Sequence, residues 1–262
     1  MCGVSGLHVE TVGAGPPLVL LHGWAMHGGL FAALVPALAR RFRVHVVDLP
    51  GHGHSAPVAA YSLDALVGTL AQRFAREETP LAILGWSLGG TIALRWARLE
   101  SDRVTRLVLV STTPRFVAAA DWAPAMNEAT LRRFGDELRV AYRLTLQRFL
   151  SLQVQGSDEG RAALGELRQQ LFARGEPAPA ALAAALEVLA TADLRDDVPG
   201  IAATALIVTG DRDALTPSAA GAWLARTMPA ARHVDIAGAA LAPFLSHRVE
   251  FDAAVADFLD AR

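Results

Sequence analysis

A serine flanked by glycines is the first group in the sequence that has the spacing of a catalytic nucleophile. Ser87 lies in the run Gly85-Trp86-Ser87-Leu88-Gly89, after the apolar residues 81–84 and before the helix-forming stretch TIALRWA. Small residues on both sides let the chain turn sharply from strand to helix, which places the hydroxyl beyond the end of the strand. The alternative is a glycine-rich turn with a capping serine. The flanking strand and helix favour Ser87 as a nucleophile.

An attacking serine also needs backbone amides that stabilise the oxyanion formed at the carbonyl. In a strand–turn–helix of this kind, one amide belongs to the residue after the serine, here Leu88, and the other to an earlier loop. The predicted strand at residues 19–21 runs into His22-Gly23-Trp24, which makes Trp24 the second donor. We interpret His22 as a residue that orders this loop through its own hydrogen bonds. His52 and His54 are interpreted as surface or loop-ordering residues.

A carboxylate follows a later predicted strand, at residues 205–208. The next loop reads GDRDALTP and offers Asp211 and Asp213. Either one comes after the serine in the chain, as the acid of a Ser–Asp–His triad does on a strand–turn–helix nucleophile. We choose Asp213, partly on the family resemblance described below, and expect Asp211 to bind backbone amides or Arg212 within the loop.

The order of strands and helices predicts an α/β fold. Apolar strands alternate with helical stretches up to residue 111 and again from residue 195, whereas residues 112–194 have helical composition and no convincing strand. Alternation predicts a mostly parallel sheet flanked by helices, with its chemistry at the carboxyl ends of the strands. We therefore expect a core of residues 1–111 and 195–262 with an inserted α-helical cap at 112–194. The predicted helices cover residues 30–39, 63–76, 131–152, 161–173, 180–190, 218–228 and 248–259.

Composition limits the class of protein further. The chain has 262 residues, of which 52% are hydrophobic and 19% charged, with a formal net charge of −2. Such a balance favours neither nucleic acid nor a membrane surface as a partner. The single cysteine, Cys2, excludes an internal disulfide and fits a reducing compartment. Without a signal peptide or a long apolar run, we expect a cytoplasmic protein.

Five stretches together resemble the BioH family of carboxylesterases, which have the α/β-hydrolase fold. They are LLHGW at 20–24, VDLPGHGHS at 47–55, GWSLGG at 85–90, the loop of Asp213, and ALAPFLSH at 240–247. The resemblance extends over essentially the whole chain. It implies a serine triad that hydrolyses the methyl ester of pimeloyl-acyl carrier protein in biotin synthesis. It also implies a monomer that uses no metal ion or organic cofactor.

The resemblance assigns further residues to the substrate and to its carrier. Trp24, Trp86 and Phe149 correspond to residues beside the acyl chain. Arg148 and Arg161 match cap arginines that contact the acidic carrier protein, so the acyl carrier protein is the expected partner. For any cap arginine the alternative is a solvated helix face.

One position departs from the family. The family has A-H-A-P-F where this chain has Ala240-Leu241-Ala242-Pro243-Phe244, so Leu241 stands at the place of the catalytic histidine. Leucine has no donor or acceptor, and it cannot take the proton from Ser87. His247 is six residues further on, which is about 20 Å of extended chain, and His233 belongs to the preceding strand.

We therefore predict a chain that folds and binds substrate but hardly turns it over. Because the serine, the acid and the oxyanion amides are retained, an engineered or recent loss of the base is favoured. Two other functions fit the same motifs. One is a different serine esterase or acyl-transfer hydrolase, and the other is a noncatalytic ligand-binding protein.

Overall fold

Seven strands form one sheet in the part of the chain that the computed structural model describes, residues 6–152, 164–165, 168–169 and 171–261. Their order across the sheet is β1-β3-β2-β4-β5-β6-β7. Only the pairing of β1 with β3 is antiparallel among these strands, and the other five pairings are parallel. The strands are β1 Val9–Val12, β2 Pro17–Leu21, β3 Arg43–Val47, β4 Leu81–Trp86, β5 Val104–Val110, β6 Thr204–Gly210 and β7 Ala231–Ile236.

Helices cover this sheet, and the predicted α/β class is confirmed. Every residue of β2 and β4 is buried, as expected for parallel strands with both faces covered. None of the described helices is both long enough and apolar enough to cross a membrane. The α-helices are α1 Val35–Leu38, α2 Leu63–Arg73, α3 Leu88–Leu99, α4 Glu128–Val140, α5 Tyr142–Leu152, α6 Pro179–Thr191, α7 Ser218–Thr227, α8 Pro243–Ser246 and α9 Arg248–Asp260.

Two helix predictions were wrong in detail. In place of one helix at 30–39 the chain forms a 3₁₀ turn, Gly28–Phe31, and the single-turn helix α1. The predicted helix at 131–152 is two helices, because Ala141 has φ −137° and ψ 54° and separates α4 from α5. Alanine is the strongest helix former, so the sequence around Ala141 gives no sign of this break. The predicted helix at 161–173 includes residues outside the described ranges.

The helices α4, α5 and α6 follow β5 and precede β6, and we call them the cap helices. The segment that leads into α6 is tied to the core by charge, because the Arg174 guanidinium lies 3.2 Å from Asp48 and 2.7 Å from Glu10. The Trp24 indole adds a hydrogen bond of 3.0 Å to the carbonyl of Leu182 in α6. The limits of a cap domain at 112–194 remain a prediction.

Candidate active site

The turn around Ser87 has the strained geometry that the sequence predicts. Ser87 joins β4 to α3 with φ +52° and ψ −114°, a region that residues other than glycine rarely adopt. The glycines two residues before and after it have no room for a side chain: a Cβ on Gly89 would lie 2.2 Å from the carbonyl oxygen of Leu21, and one on Gly85 would lie 2.5 Å from the carbonyl oxygen of Gly89. Backbone strain of this kind persists where the surrounding structure enforces it.

We predict that Gly89→Ala destabilises the protein by about 3 kcal/mol or more, because its methyl group would overlap the backbone of β2. Gly68→Ala is the matched control. Gly68 lies in α2, and a Cβ added there would meet no atom within 4 Å, so alanine should raise stability by roughly 0.5 to 1 kcal/mol. Denaturant unfolding followed by circular dichroism measures both changes. Equal effects of the two substitutions would contradict the tight packing at Gly89.

The two predicted oxyanion donors belong to segments that meet at Ser87. Leu88 is the first residue of α3, and the first amides of a helix have no acceptor within the helix. The loop of Trp24 lies against the serine, because a Cβ on Gly23 would be 3.4 Å from the Cβ of Ser87. The structure therefore brings both predicted segments next to Ser87.

Four of the predicted site residues line one cavity of about 90 Å³. They are Ser87, Trp24, Phe149 and Leu241. The remaining lining side chains are apolar except for Thr130, and most come from the cap helices and the segment before them. Leu241 is 2% exposed and lines this cavity at the position predicted for the triad histidine. The site thus has the hydroxyl of Ser87 in a mostly apolar chamber, and leucine at position 241 offers it no proton acceptor.

Trp86 lies outside the lining of this cavity. Its indole nitrogen donates a hydrogen bond of 2.8 Å to the carbonyl oxygen of Leu241, and its ring packs edge-on against Phe244 at 5.0 Å. The Trp24 ring makes a similar edge contact with Phe149, at 5.2 Å. Trp86 therefore holds the backbone of the Leu241 loop, whereas Trp24 and Phe149 form the wall of the cavity.

The two candidate acids have different surroundings. Asp213 is 6% exposed and accepts hydrogen bonds of 2.9 Å from the amides of Leu215 and Thr216 and one of 2.5 Å from the Thr216 hydroxyl. Burial raises the pKa of Asp213, although these donors oppose the shift. Asp211 is exposed and accepts a bond of 2.7 Å from the amide of Gly238. Asp213 is thus the buried one of the two carboxylates, and Leu215, whose amide it binds, lines the cavity.

We predict that Asp213→Asn stabilises the parent chain near neutral pH. A carboxyl group whose pKa is raised by folding destabilises the native state once it ionises, so its cost appears as pH rises above the unfolded pKa of about 3.9. The gain should be on the order of 1 kcal/mol near neutrality and should vanish toward about pH 4. Thermal unfolding across this pH range tests it, with Asp211→Asn as the control. A gain independent of pH would contradict the burial of an ionised Asp213.

The histidines near the strand ends order loops. His22 donates from Nδ1 to the carbonyl of Gly23 at 2.8 Å, and its Nε2 accepts the amide of Leu49 at 2.9 Å. Burial, with a nearby His52 ring, lowers the pKa of His22 to about 3, so the imidazole is neutral. His52 is fully buried, which excludes the surface interpretation for it, while His54 is exposed.

The two histidines considered as replacement bases lie elsewhere. His247 precedes α9 and hydrogen-bonds the hydroxyl of Ser246 at 2.9 Å. His233 contacts the hydroxyl of Thr209 at 2.7 Å, on the neighbouring strand. No histidine of the described ranges lines the cavity that contains Ser87.

The charged residues assigned to partners lie on the surface or outside the described residues. Arg148 in α5 has a side chain that is 66% exposed, 3.8 Å from Glu137. Arg161 is not among the described residues. Within the described ranges, one group brings three possible metal ligands within 4.8 Å of one another, namely His8, Glu10 and His54. It does not line the cavity, and its glutamate already pairs with Arg174.

Comparisons with known proteins agree with the observed fold. The family model described as the alpha/beta hydrolase fold matches residues 16–247. A protein of Nitrosomonas europaea named pimeloyl-[acyl-carrier protein] methyl ester esterase is 42% identical over 248 residues, which are 95% of this chain and 97% of the relative. One of the same name from Chromobacterium violaceum is 43% identical over 256 residues, 98% and 99% of the two chains. An esterase structure from Exiguobacterium antarcticum has a TM-score of 0.89 at 21% identity, covering 97% and 96%, which shows a shared fold.

Proposed function

We propose, from the premise that the chain belongs to the α/β-hydrolase fold family, that it is a serine carboxylesterase for the methyl ester of pimeloyl-acyl carrier protein. Curated relatives of nearly equal length carry that name, which supports the substrate class. The observation that carries the proposal is the cavity lined by both Ser87 and Leu241, to which the buried Asp213 is linked by its hydrogen bond from the amide of Leu215. Because Leu241 offers no base, we also propose that the chain with leucine at this position hydrolyses the ester only very slowly.

The mechanism follows from the groups around Ser87 once a histidine is introduced by Leu241→His. That imidazole, oriented by Asp213, takes the proton of the serine hydroxyl while the oxygen attacks the ester carbonyl. The amides of Trp24 and Leu88 stabilise the oxyanion. Methanol leaves with the proton from the imidazolium. Water then attacks the acyl-enzyme with the imidazole as base, which releases the free acid and restores Ser87.

With leucine at 241, the first proton transfer has no acceptor. The apolar cavity and the oxyanion amides remain, and in a serine protease such features retain roughly 10³- to 10⁴-fold catalysis over water. Removing the triad histidine costs about a million-fold in turnover in that class. The parent chain should therefore bind the ester and release it unchanged.

The carrier protein is proposed to dock on the cap helices. Arg148 presents a guanidinium to solvent there, and Arg161 is proposed to act with it. An acidic carrier would attract such arginines, and its docking would weaken as salt screens the charges. We also propose that the protein is cytoplasmic and monomeric.

Substrate preference tests the proposed reaction. The Leu241→His protein is assayed with the methyl ester of pimeloyl-acyl carrier protein and with p-nitrophenyl esters of short acids. We expect the higher kcat/KM with the carrier-linked ester. Rates that are equal or higher with the simple esters would instead identify another esterase on the same fold.

A noncatalytic ligand-binding protein is the second candidate, because Leu241 completes an apolar chamber in which no histidine of the described ranges takes part. Under that function, Leu241→His would still leave Ser87 unreactive. Restored hydrolysis in the substrate assay would exclude this candidate.

A further inference from the structure

Two cavities in this protein share one wall. Besides the chamber at Ser87, a cavity of about 580 Å³ lies along the cap helices α4 and α6. Its rim is solvent-exposed and includes Arg132 and Glu187. Leu131 of α4 and Leu186 of α6 line both cavities, and no other described residue does so. We call the larger one the outer groove.

The inner cavity alone is too small for an extended substrate. Ligand sites for small molecules usually enclose about 300 to 1,000 Å³. The inner cavity has about 90 Å³ and the outer groove about 580 Å³. An ester whose carbonyl reaches Ser87 can place only its reacting end in the chamber. The rest of the chain must leave the chamber, and the outer groove is the larger space beyond its wall.

The wall between the cavities consists of adaptable side chains at a point where the two helices approach closely. Leu131 is buried and Leu186 is half-buried. Opposite Leu186, α4 has Gly135, and a Cβ there would lie 3.3 Å from a methyl carbon of Leu186. Glycine is a poor helix former, so its place in α4 fits a need for space beside Leu186. Leucine side chains form no hydrogen bonds and change position by rotation between staggered rotamers, so the wall has no polar contact that must break before it opens.

The charges along the outer groove favour a substrate with a polar far end. Arg132 pairs with Glu128 at 3.0 Å, and Arg139 pairs with Asp136 at 2.9 Å, all on the solvent side of α4. An apolar acyl chain that passes between Leu131 and Leu186 would therefore leave these ion pairs solvated. The polar group that carries the chain would remain at the rim.

We propose, resting on the esterase function above, that Leu131 and Leu186 form a gate through which an extended acyl chain runs from the outer groove to Ser87. The gate makes these two leucines the residues that determine whether long chains are accepted. Short esters fit the inner chamber without keeping the gate open. Long esters require the gate to stay open throughout binding.

The gate is tested with methyl butanoate and methyl octanoate in the Leu241→His background. Leu186→Trp fills the passage, and it should lower kcat/KM for the octanoate about tenfold or more beyond its effect on the butanoate, which needs only the inner chamber. Leu144→Trp is the matched control, because Leu144 is an exposed cap residue that lines neither cavity. If Leu186→Trp fails to fold, Gly135→Met narrows the same passage from α4. A parallel loss for both esters, or no loss for either, would overturn the gate.

A binding measurement in the parent chain separates this inference from the proposed reaction. Because Leu241 leaves the ester intact, calorimetric titration gives the Kd of each methyl ester directly. We expect Leu186→Trp to weaken octanoate binding about tenfold more than it weakens butanoate binding. If Leu241→His shows no hydrolysis, the proposed reaction fails, and this titration still decides whether the gate exists.

Discussion

Replacing Leu241 by histidine is expected to raise the rate of ester hydrolysis by about 10⁴-fold or more, because it supplies the missing proton acceptor beside Ser87. The new side chain has room, since it takes the place of a leucine of similar volume in the chamber wall. The Trp86 indole bonds the backbone carbonyl at 241 and is unaffected by the exchange. Initial rates with p-nitrophenyl butanoate, measured for both purified proteins, give the ratio.

Two further variants show whether the gain comes from a triad. Leu241→Gln has a polar side chain of similar size without a useful base, and it should stay at the parent rate. Ser87→Ala combined with Leu241→His should return the rate to background. A parent chain that already hydrolyses as fast as Leu241→His would show that position 241 plays no part in proton transfer.

The second large effect concerns the acid. In the Leu241→His protein, Asp213→Asn is expected to lower kcat about 10⁴-fold, because the carboxylate no longer holds the imidazole in its catalytic tautomer. Asp211→Asn should change kcat only slightly, since the exposed carboxylate of Asp211 binds the amide of Gly238. Steady-state kinetics of the two single replacements compare them directly.

The same replacement at Asp213 has opposite expected effects in the two backgrounds. It should stabilise the parent chain, where burial raises the pKa of an acid without an imidazole partner, and it should inactivate the restored enzyme. A large loss with Asp211→Asn and a small one with Asp213→Asn would reverse the assignment. Such a reversal would place the triad acid on the outer part of the loop.

The parts of the site that were predictable depend on short stretches of sequence. The spacing of Gly85, Ser87 and Gly89 predicts the turn because each glycine meets a backbone oxygen that excludes a side chain. The strand β1 was missed, since its four residues are mostly exposed and pair only at the sheet edge. Short exposed strands lack the apolar pattern that marks buried ones.

Contacts between distant residues were not predictable. Arg174 and Asp48 are 126 residues apart, and Trp24 and Leu182 are 158 residues apart, yet these pairs attach the cap segment to the loops of the core. The shared wall at Leu131 and Leu186 likewise depends on how two helices pack. No local pattern contains such information, because tertiary packing decides which of many apolar side chains meet.

The reactivity of Ser87 tests the central claim most directly. Each protein is treated with a fluorophosphonate, and the adduct is followed by intact mass and located by peptide mapping. We expect Leu241→His to be labelled at Ser87 orders of magnitude faster than the parent chain. Equal labelling of the parent chain, or labelling of neither protein, would contradict the central claim. That claim is that the serine, the acid and the oxyanion amides are all in place and that only the base is missing.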